Sequence, residues 1–328
     1  MKILDCTLRD GAHINAGKFG EKNIKAIIKG LINAKIDIIE LGFLQDGLFD
    51  KDYTFFESID KADELLKNFE QKNSSFSIML RTDRCNIKNI KESKYIKIAR
   101  IALYKEHLKH IADYVKKLKD LGYTLILNPI AITKYSDDEI KSLIDELLNF
   151  YVDGISIVDT FGAFTMKGFL NVIRIFDERL AKELLFGVHL HENLSQSLSL
   201  ALKAIELLKD RKLIIDASIS GMGRMPGNLA IELLVGSLAS EKYDLKELIK
   251  LCELCKEYKN INEWGYNPIY AYQAFLNIDR TYSEYFARQG LSSLDNIILQ
   301  EEVKKKGYGD KFKEEKASEL ISFIKEKR

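Results

Sequence analysis

Two histidines stand one residue apart in Gly187-Val188-His189-Leu190-His191-Glu192-Asn193, directly after the apolar run Leu184-Leu185-Phe186. Side chains two apart on a strand point to the same face. His189 and His191 can therefore aim both imidazoles at one point, which is what a divalent metal requires. The chain has only five histidines. A third ligand is available near the N-terminus, in Thr7-Leu8-Arg9-Asp10-Gly11-Ala12-His13. Asp10 would complete a two-histidine, one-carboxylate face and leave metal positions open for substrate and water. Arg9 adds a permanent cation able to stabilise an oxyanion. For an isolated Arg-Asp a local ion pair is the ordinary reading; the position after a strand and the nearby His13 favour chemistry. Glu192 alternates away from the metal side and is expected to be structural.

Converging these residues needs a scaffold, and the order of elements supplies one. Strand-like runs at Ile3–Cys6, Ile36–Phe43, Phe76–Leu80, Tyr95–Ile101, Thr124–Asn128, Gly154–Asp159, the histidine segment and Leu213–Ser218 alternate with helical patterns. The apolar spacing of Ile24, Ile27, Ile28, Leu31 and Ile32 marks one helix, and Ser136-Asp137-Asp138-Glu139 reads as the cap of another. Eight strands rich in isoleucine and leucine, separated by helices, predict an α/β fold: a (β/α)8 TIM barrel. Polar and glycine residues follow the strands at Thr7–Gly11, Glu40–Gly42, Asp159–Gly162, His189–His191 and Gly221–Gly223. All five would share one rim, where such barrels build active sites. On this reading strands one and seven lie two apart in the closed barrel, so Asp10 can meet the histidines. Residues 1–242 form the barrel domain, and 243–328 a C-terminal helical region. That region includes Leu245–Tyr258, an aromatic-rich stretch from Pro268 to Gln289, and a charged tail with the thin stripe Phe312, Leu320, Ile321 and Phe323.

Composition narrows the partners. Fifty basic residues against 49 acidic ones give no global attraction to nucleic acid or an anionic membrane. The N-terminal run Met1-Lys2-Ile3-Leu4-Asp5 meets a charge too early for a signal peptide, and no uninterrupted apolar run is long enough to span a bilayer. The four cysteines show no disulfide-framework pattern, so a cytoplasmic location is expected. Cys252 and Cys255 read as small core residues of a helix, since no second pair exists to complete a zinc site.

The three motifs together, Thr-Leu-Arg-Asp-Gly after the first strand, His-x-His at the seventh and Gly-Met-Gly with Gly227-Asn228 after the eighth, resemble the DRE-TIM metallolyases. The resemblance covers roughly residues 1–240. It is strongest to the 4-hydroxy-2-oxovalerate aldolase branch, in which a histidine three residues beyond the metal aspartate serves as general acid/base, here His13. It implies Mn2+ or Mg2+ on Asp10, His189 and His191, with Asn228 as an extra ligand or supporting group. Thr160 and Glu40 would meet the keto acid. Tyr282 would lie over the site, the alternative being a packed helix aromatic. Arg224 faces either an anionic substrate group or solvent. The glycine loop lacks the cysteine of the hydroxymethylglutaryl-CoA lyases. The activity so implied is cleavage or formation of a C–C bond between pyruvate enolate and an aldehyde. The rivals are a Claisen-type transferase joining acetyl-CoA to a keto acid, and a barrel that mainly docks a partner. An acylating aldehyde dehydrogenase or a second copy of the chain would be the expected protein partner, through the C-terminal helices. The charged loop Gln45–Asp52 is expected on the rim, helping to choose the substrate.

Overall fold

The computed structural model describes residues 1–70, 73–261 and 264–326. In chain order the strands are β1 (Lys2–Asp5), β2 (Ile38–Leu44), β3 (Phe55–Phe56), β4 (Ser75–Leu80), β5 (Ile96–Leu103), β6 (Thr124–Pro129), β7 (Gly154–Val158), β8 (Leu185–His189) and β9 (Lys212–Ala217). The pairing order is β1-β9-β8-β7-β6-β5-β4-β2, all parallel, and β1 also pairs with β2, so eight strands close into a TIM barrel. The two-residue β3 hangs on the outer end of β2 and was not visible in the apolar pattern.

The helices before the C-terminal region are α1 (Thr7–Asp10), α2 (Ala12–Asn15), α3 (Glu21–Asn33), α4 (Ile59–Leu66), α5 (Ala112–Asp120), α6 (Asp137–Leu148), α7 (Met166–Arg179), α8 (Ser197–Leu207) and α9 (Ile231–Leu238). Their apolar stripes face the sheet. In α3, Ile24, Ile27, Ile28 and Leu31 are buried, and in α6 the Ser136–Glu139 capping box is formed. Burying these stripes is the main stabilising term.

The interior of the barrel is layered by the period of two. Leu4, Cys6, Ile38, Ile98, Ile126 and Ile214 pack together as an apolar plug. Two residues further along β2, β5, β6 and β9 stand Glu40, Arg100, Asn128 and Asp216, all buried. The same face thus turns from apolar to charged in one step towards the strand C-terminal ends.

The C-terminal helices are α10 (Leu245–Ile261), α11 (Pro268–Leu276), α12 (Thr281–Arg288), α13 (Ser293–Lys305) and α14 (Glu314–Glu326). Helix α10 lies on α3, and the barrel core runs on through Leu248, Leu251, Cys255 and Trp264. Cys255 is buried and Cys252 half-buried on that helix, both as free thiols. A second cluster begins at Ile278 and gathers Tyr282, Phe286, Leu299, Val303, Leu320 and Ile321, with Phe312 against it. The side chain of Phe323 and residues 327–328 lie outside the described part. The aromatic-rich stretch is split in two at Asn277, which takes a left-handed conformation (φ 52°). Its amide is held there by Thr133, donating to the carbonyl at 2.7 Å and accepting from the hydroxyl at 2.9 Å. No helix among the described residues is long and apolar enough to cross a membrane.

Candidate metal centre and active site

The chain turns sharply after β1, and the Asp5 side chain braces the turn from the last strand residue. Its carboxylate accepts the Thr7 amide at 3.0 Å and the Thr7 hydroxyl at 2.8 Å, and the Asp10 amide donates to the Cys6 carbonyl at 2.7 Å. The short helix beyond, α1, buries Arg9 and Asp10. The Thr7 hydroxyl also accepts the Ile219 amide at 2.8 Å, tying this turn to the loop after β9.

The histidines arrive from two barrel positions away. His189 ends β8; His191 lies beyond it, bridged to Asn228. Their rings stand 4.9 Å apart, nearly perpendicular. Asp10, His189 and His191 are all buried, and each offers a ligand atom within 4.8 Å of the others. The spacing argument from the sequence therefore holds in three dimensions.

What orients them is a buried polar network. His191 donates through Nδ1 to the Asp159 carbonyl at 2.6 Å, so Nε2 is the free nitrogen, 3.7 Å from Asp10 Oδ2. The Asp159 carboxylate in turn accepts the amides of Ala163 and Phe164. His189 Nδ1 stands 3.2 Å from Asp216 Oδ2. Arg100 bonds Asp216 at 2.6 Å, Asn128 at 2.8 Å and Glu40 at 3.2 Å. Glu40 accepts Arg9 Nε at 2.7 Å, and Arg9 Nη1 reaches Asp10 at 2.6 Å. Glu40, expected from its strand-end position to meet the keto acid, does not line the pocket. It is wholly buried beneath Arg9, because the period of two points it inward one layer too deep.

Arg100 joins three strands, so its loss should be felt throughout. Replacing it with Met leaves Asp216 buried without its guanidinium partner and Glu40 with Arg9 alone. We expect about 3–5 kcal/mol lower stability, the usual effect of breaking a buried ion pair from one side, read as a lower urea midpoint.

The donor set suits a divalent cation. Asp10 Oδ2, His191 Nε2 and Asn228 Oδ1 are buried and make no hydrogen bond with any described residue. Buried polar atoms without partners are rare in folded proteins. Burial works against the charged form of Asp10, but Arg9, His191 and His189 together outweigh it and hold the carboxyl well below its usual range. Burial, with Arg280 nearby, pushes the His191 imidazole down to about 3, leaving it neutral and able to ligate. Glu40, Asp10 and Asp216 against Arg9 and Arg100 leave one net negative charge in the layer, which a divalent cation would compensate. Gly223 lets the last loop close over this point: a Cβ there would stand 2.3 Å from Asn228 Nδ2 and 2.7 Å from Asp10 Oδ2.

A pocket of about 130 Å³ opens above the cluster. His13, on α2, lines it with Nε2 3.9 Å from Asp10 and its ring edge-on to Phe43. Its side chain is 37% exposed. Desolvation first, then the cations Arg224, Arg280 and Arg9, push its imidazole down to about 3, so it is a neutral base at pH 7. Thr160 is on the rim, its hydroxyl accepting the Ala131 amide at 2.8 Å.

Two further expectations need correcting. Tyr282 does not lie over the site: it is fully buried against Phe286 and Phe312, its hydroxyl accepting the Lys313 amide at 3.2 Å. At 100° per residue the position two earlier faces the other way, and that position, Arg280, is what lines the pocket. Arg224 lines the pocket, but its guanidinium is already paired within the chain. Glu284 accepts its Nε and Nη2 at 2.8 Å, and Thr281 accepts Nη2 at 2.6 Å, so it pins the loop after β9 to α12. The loop 45–52 lies beside the site, with Phe49, Asp50 and Lys51 lining a separate groove. Glu192 accepts the Ser197 hydroxyl at the foot of α8, away from the cluster. Sequence reasoning missed Arg81, Arg84, Arg100, Asp216 and Arg280. For Arg100 and Asp216 a signal existed: a charge two residues after an isoleucine in an otherwise apolar strand.

The model of the HMGL-like family matches residues 1–261. The chain belongs to the HMGL-like family. Among its relatives, the 4-hydroxy-2-oxovalerate aldolase of Carboxydothermus hydrogenoformans is 26% identical over 262 residues, 78% of this chain and 76% of that protein. The corresponding aldolase of Geobacillus genomosp. 3 is 24% identical over 73% of this chain and 70% of its own. Among solved structures, the N-terminal domain of a protein assigned to the aldolases from Bacteroides vulgatus superimposes with a TM-score of 0.75 at 24% identity, over 91% of this chain and 99% of that one. The carboxyl transferase domain of Rhizobium etli pyruvate carboxylase covers all of this chain and 60% of its own, with a TM-score of 0.74 at 12% identity. The two structural likenesses establish the fold. This HMGL-like chain carries the buried Asp-His-His group typical of the DRE-TIM metal site.

Proposed function

We propose that this chain is a divalent-metal-dependent aldolase that breaks or forms the C3–C4 bond of 4-hydroxy-2-keto acids, interconverting them with pyruvate and an aldehyde. The observation that carries the reading is the buried cluster of Asp10, His189 and His191 with Arg9 and His13 at its edge, under a small pocket. Relatives named 4-hydroxy-2-oxovalerate aldolase support it. The pocket is smaller than the roughly 300–1,000 Å³ that encloses drug-sized ligands, which suits short acids and aldehydes.

Asp10, His189 and His191 would hold Mn2+ or Mg2+, with the Asn228 amide oxygen beside them, and the cation would supply Lewis-acid polarisation of the keto group. His13 takes the proton of the 4-hydroxyl. The carbinol carbon becomes the aldehyde carbonyl as the C3–C4 bond breaks, and its electron pair moves onto C3 as the enolate. Arg9, with Nε and Nη1 fixed by Glu40 and Asp10, faces the negative charge on the enolate oxygen. Protonation of C3 gives pyruvate. In condensation the same groups act in reverse, and Thr160 offers a hydroxyl to the keto acid at the rim.

Mn2+- or Mg2+-loaded protein supplied with 4-hydroxy-2-oxovalerate should release pyruvate, measured by coupling to lactate dehydrogenase. Thiol release from acetyl-CoA and a keto acid in its place would replace this reading with a Claisen transferase. His13→Ala should lower kcat by about a hundredfold, the lower end for a general base, because its half-open position lets water substitute in part.

A further inference from the structure

The pocket has more positive charge than pyruvate chemistry uses. Six arginines line it: Arg9, Arg81, Arg84, Arg100, Arg224 and Arg280, against the single acid Asp10. Four are already matched. Arg9 and Arg100 are held in the buried network, Arg81 grips Asp83 at 2.6 and 2.9 Å, and Arg224 is clamped to Glu284. Arg84 and Arg280 are not: neither side chain makes a hydrogen bond or ion pair with any described residue.

Arg280 is the telling one. It is 6% exposed, and its buried Nη1 has no partner. The carboxylates near it are turned elsewhere. Asp279 accepts from Thr281 and from the Phe312 amide, and Glu284 is taken by Arg224. A guanidinium left buried without a counter-ion is costly, and removing one partner of such a pair typically destabilises a fold. Desolvation and the neighbouring Arg224 push even this group down to about 10. Arg84 stands exposed on the loop after β4, across the mouth, beside the Arg81–Tyr104 stack at 5.7 Å. A keto acid held at the cluster brings one carboxylate, next to its keto group at the pocket floor. The two free guanidiniums line the same pocket from different elements, Arg84 from the loop after β4 and Arg280 from the start of α12, and no described carboxylate pairs with either.

We propose that the aldehyde partner of the reaction carries an anionic group, a carboxylate or a phosphate, held between Arg280 and Arg84. This rests on the aldolase reading above and narrows its substrate class. Guanidiniums bind both anions through paired N–H donors, so the shared chemistry is an oxyanion on the aldehyde.

The test uses the Mn2+-loaded full chain with pyruvate and three short aldehydes: butanal, succinic semialdehyde and glycolaldehyde phosphate. Product is followed by mass. We expect kcat/KM to favour at least one anionic aldehyde over butanal by about tenfold or more, the two anionic arms separating carboxylate from phosphate. That preference should fall to within about threefold in Arg280→Met and, independently, in the exposed-site variant Arg84→Gln, which carries no folding risk. Arg280→Lys should restore part of it. Butanal served as well as both anionic aldehydes overturns the proposal, and so does an Arg280→Met variant that raises KM for pyruvate alone. Exchange of the pyruvate methyl protons in D2O, run without any aldehyde, tests the underlying reading separately. Exchange with no anionic preference sinks only the anion site; no exchange and no product removes both.

Discussion

Asp10→Asn, His189→Ala or His191→Ala should each lower pyruvate release by at least about a thousandfold, the loss of several kcal/mol of electrostatic stabilisation at 1.36 kcal/mol per factor of ten. Three ligand atoms within 4.8 Å of one another make the site cooperative, so no two can hold the cation as the three do. A second readout separates ligation from catalysis. If the cation binds the folded chain alone, saturating Mn2+ at about a hundred times its Kd adds roughly 2.7 kcal/mol of stability. The wild-type melting temperature should therefore rise with Mn2+ and fall back with chelator, while each variant should show no rise. Undiminished activity, or a normal Mn2+-induced rise in any variant, would contradict the assignment.

The second large effect is at Arg9. Arg9→Lys keeps the charge and loses the fork. In the structure the fork does three things at once: Nε binds Glu40, Nη1 binds Asp10, and the remaining edge faces the pocket. A lysine ammonium has no planar geometry with which to span those partners. We expect kcat to drop by about 10² to 10³, the range measured on removing one preorganised oxyanion donor, with little change in KM for the keto acid. Binding of Mn2+ should survive, because Asp10 keeps its carboxylate. Loss of Mn2+ binding in Arg9→Lys would instead make Arg9 a support for the ligand set.

Much of the fold was legible because its signals are local. Eight apolar strands at regular spacing, the His-x-His alternation and the Thr-Leu-Arg-Asp-Gly turn needed no tertiary information, and the barrel's closure then brought Asp10 to the histidines. What stayed hidden depends on rotation and on partners. Glu40 reads like a rim residue, yet it points into the layer below and binds Arg9 and Arg100. Tyr282 has the right chemistry for a site residue but the wrong helical phase, and Arg280, two positions earlier, has the right phase. Arg224 resembles an anion grip until Glu284, sixty residues on, is seen to occupy it. In each case the residue type was informative and its neighbour across the fold decided its role.

The clamp between Arg224 and Glu284 joins two stretches of the chain. The match to the HMGL-like family covers residues 1–261, and it contains Asp10, His189 and His191 together with Arg9 and His13. Glu284, Thr281 and Arg280 lie beyond it, on a helix fastened to the rim by one guanidinium. The cluster and nearly all of the pocket lining thus come from the first stretch, while the one buried guanidinium without a partner among the described residues, Arg280, is brought to the rim by the second.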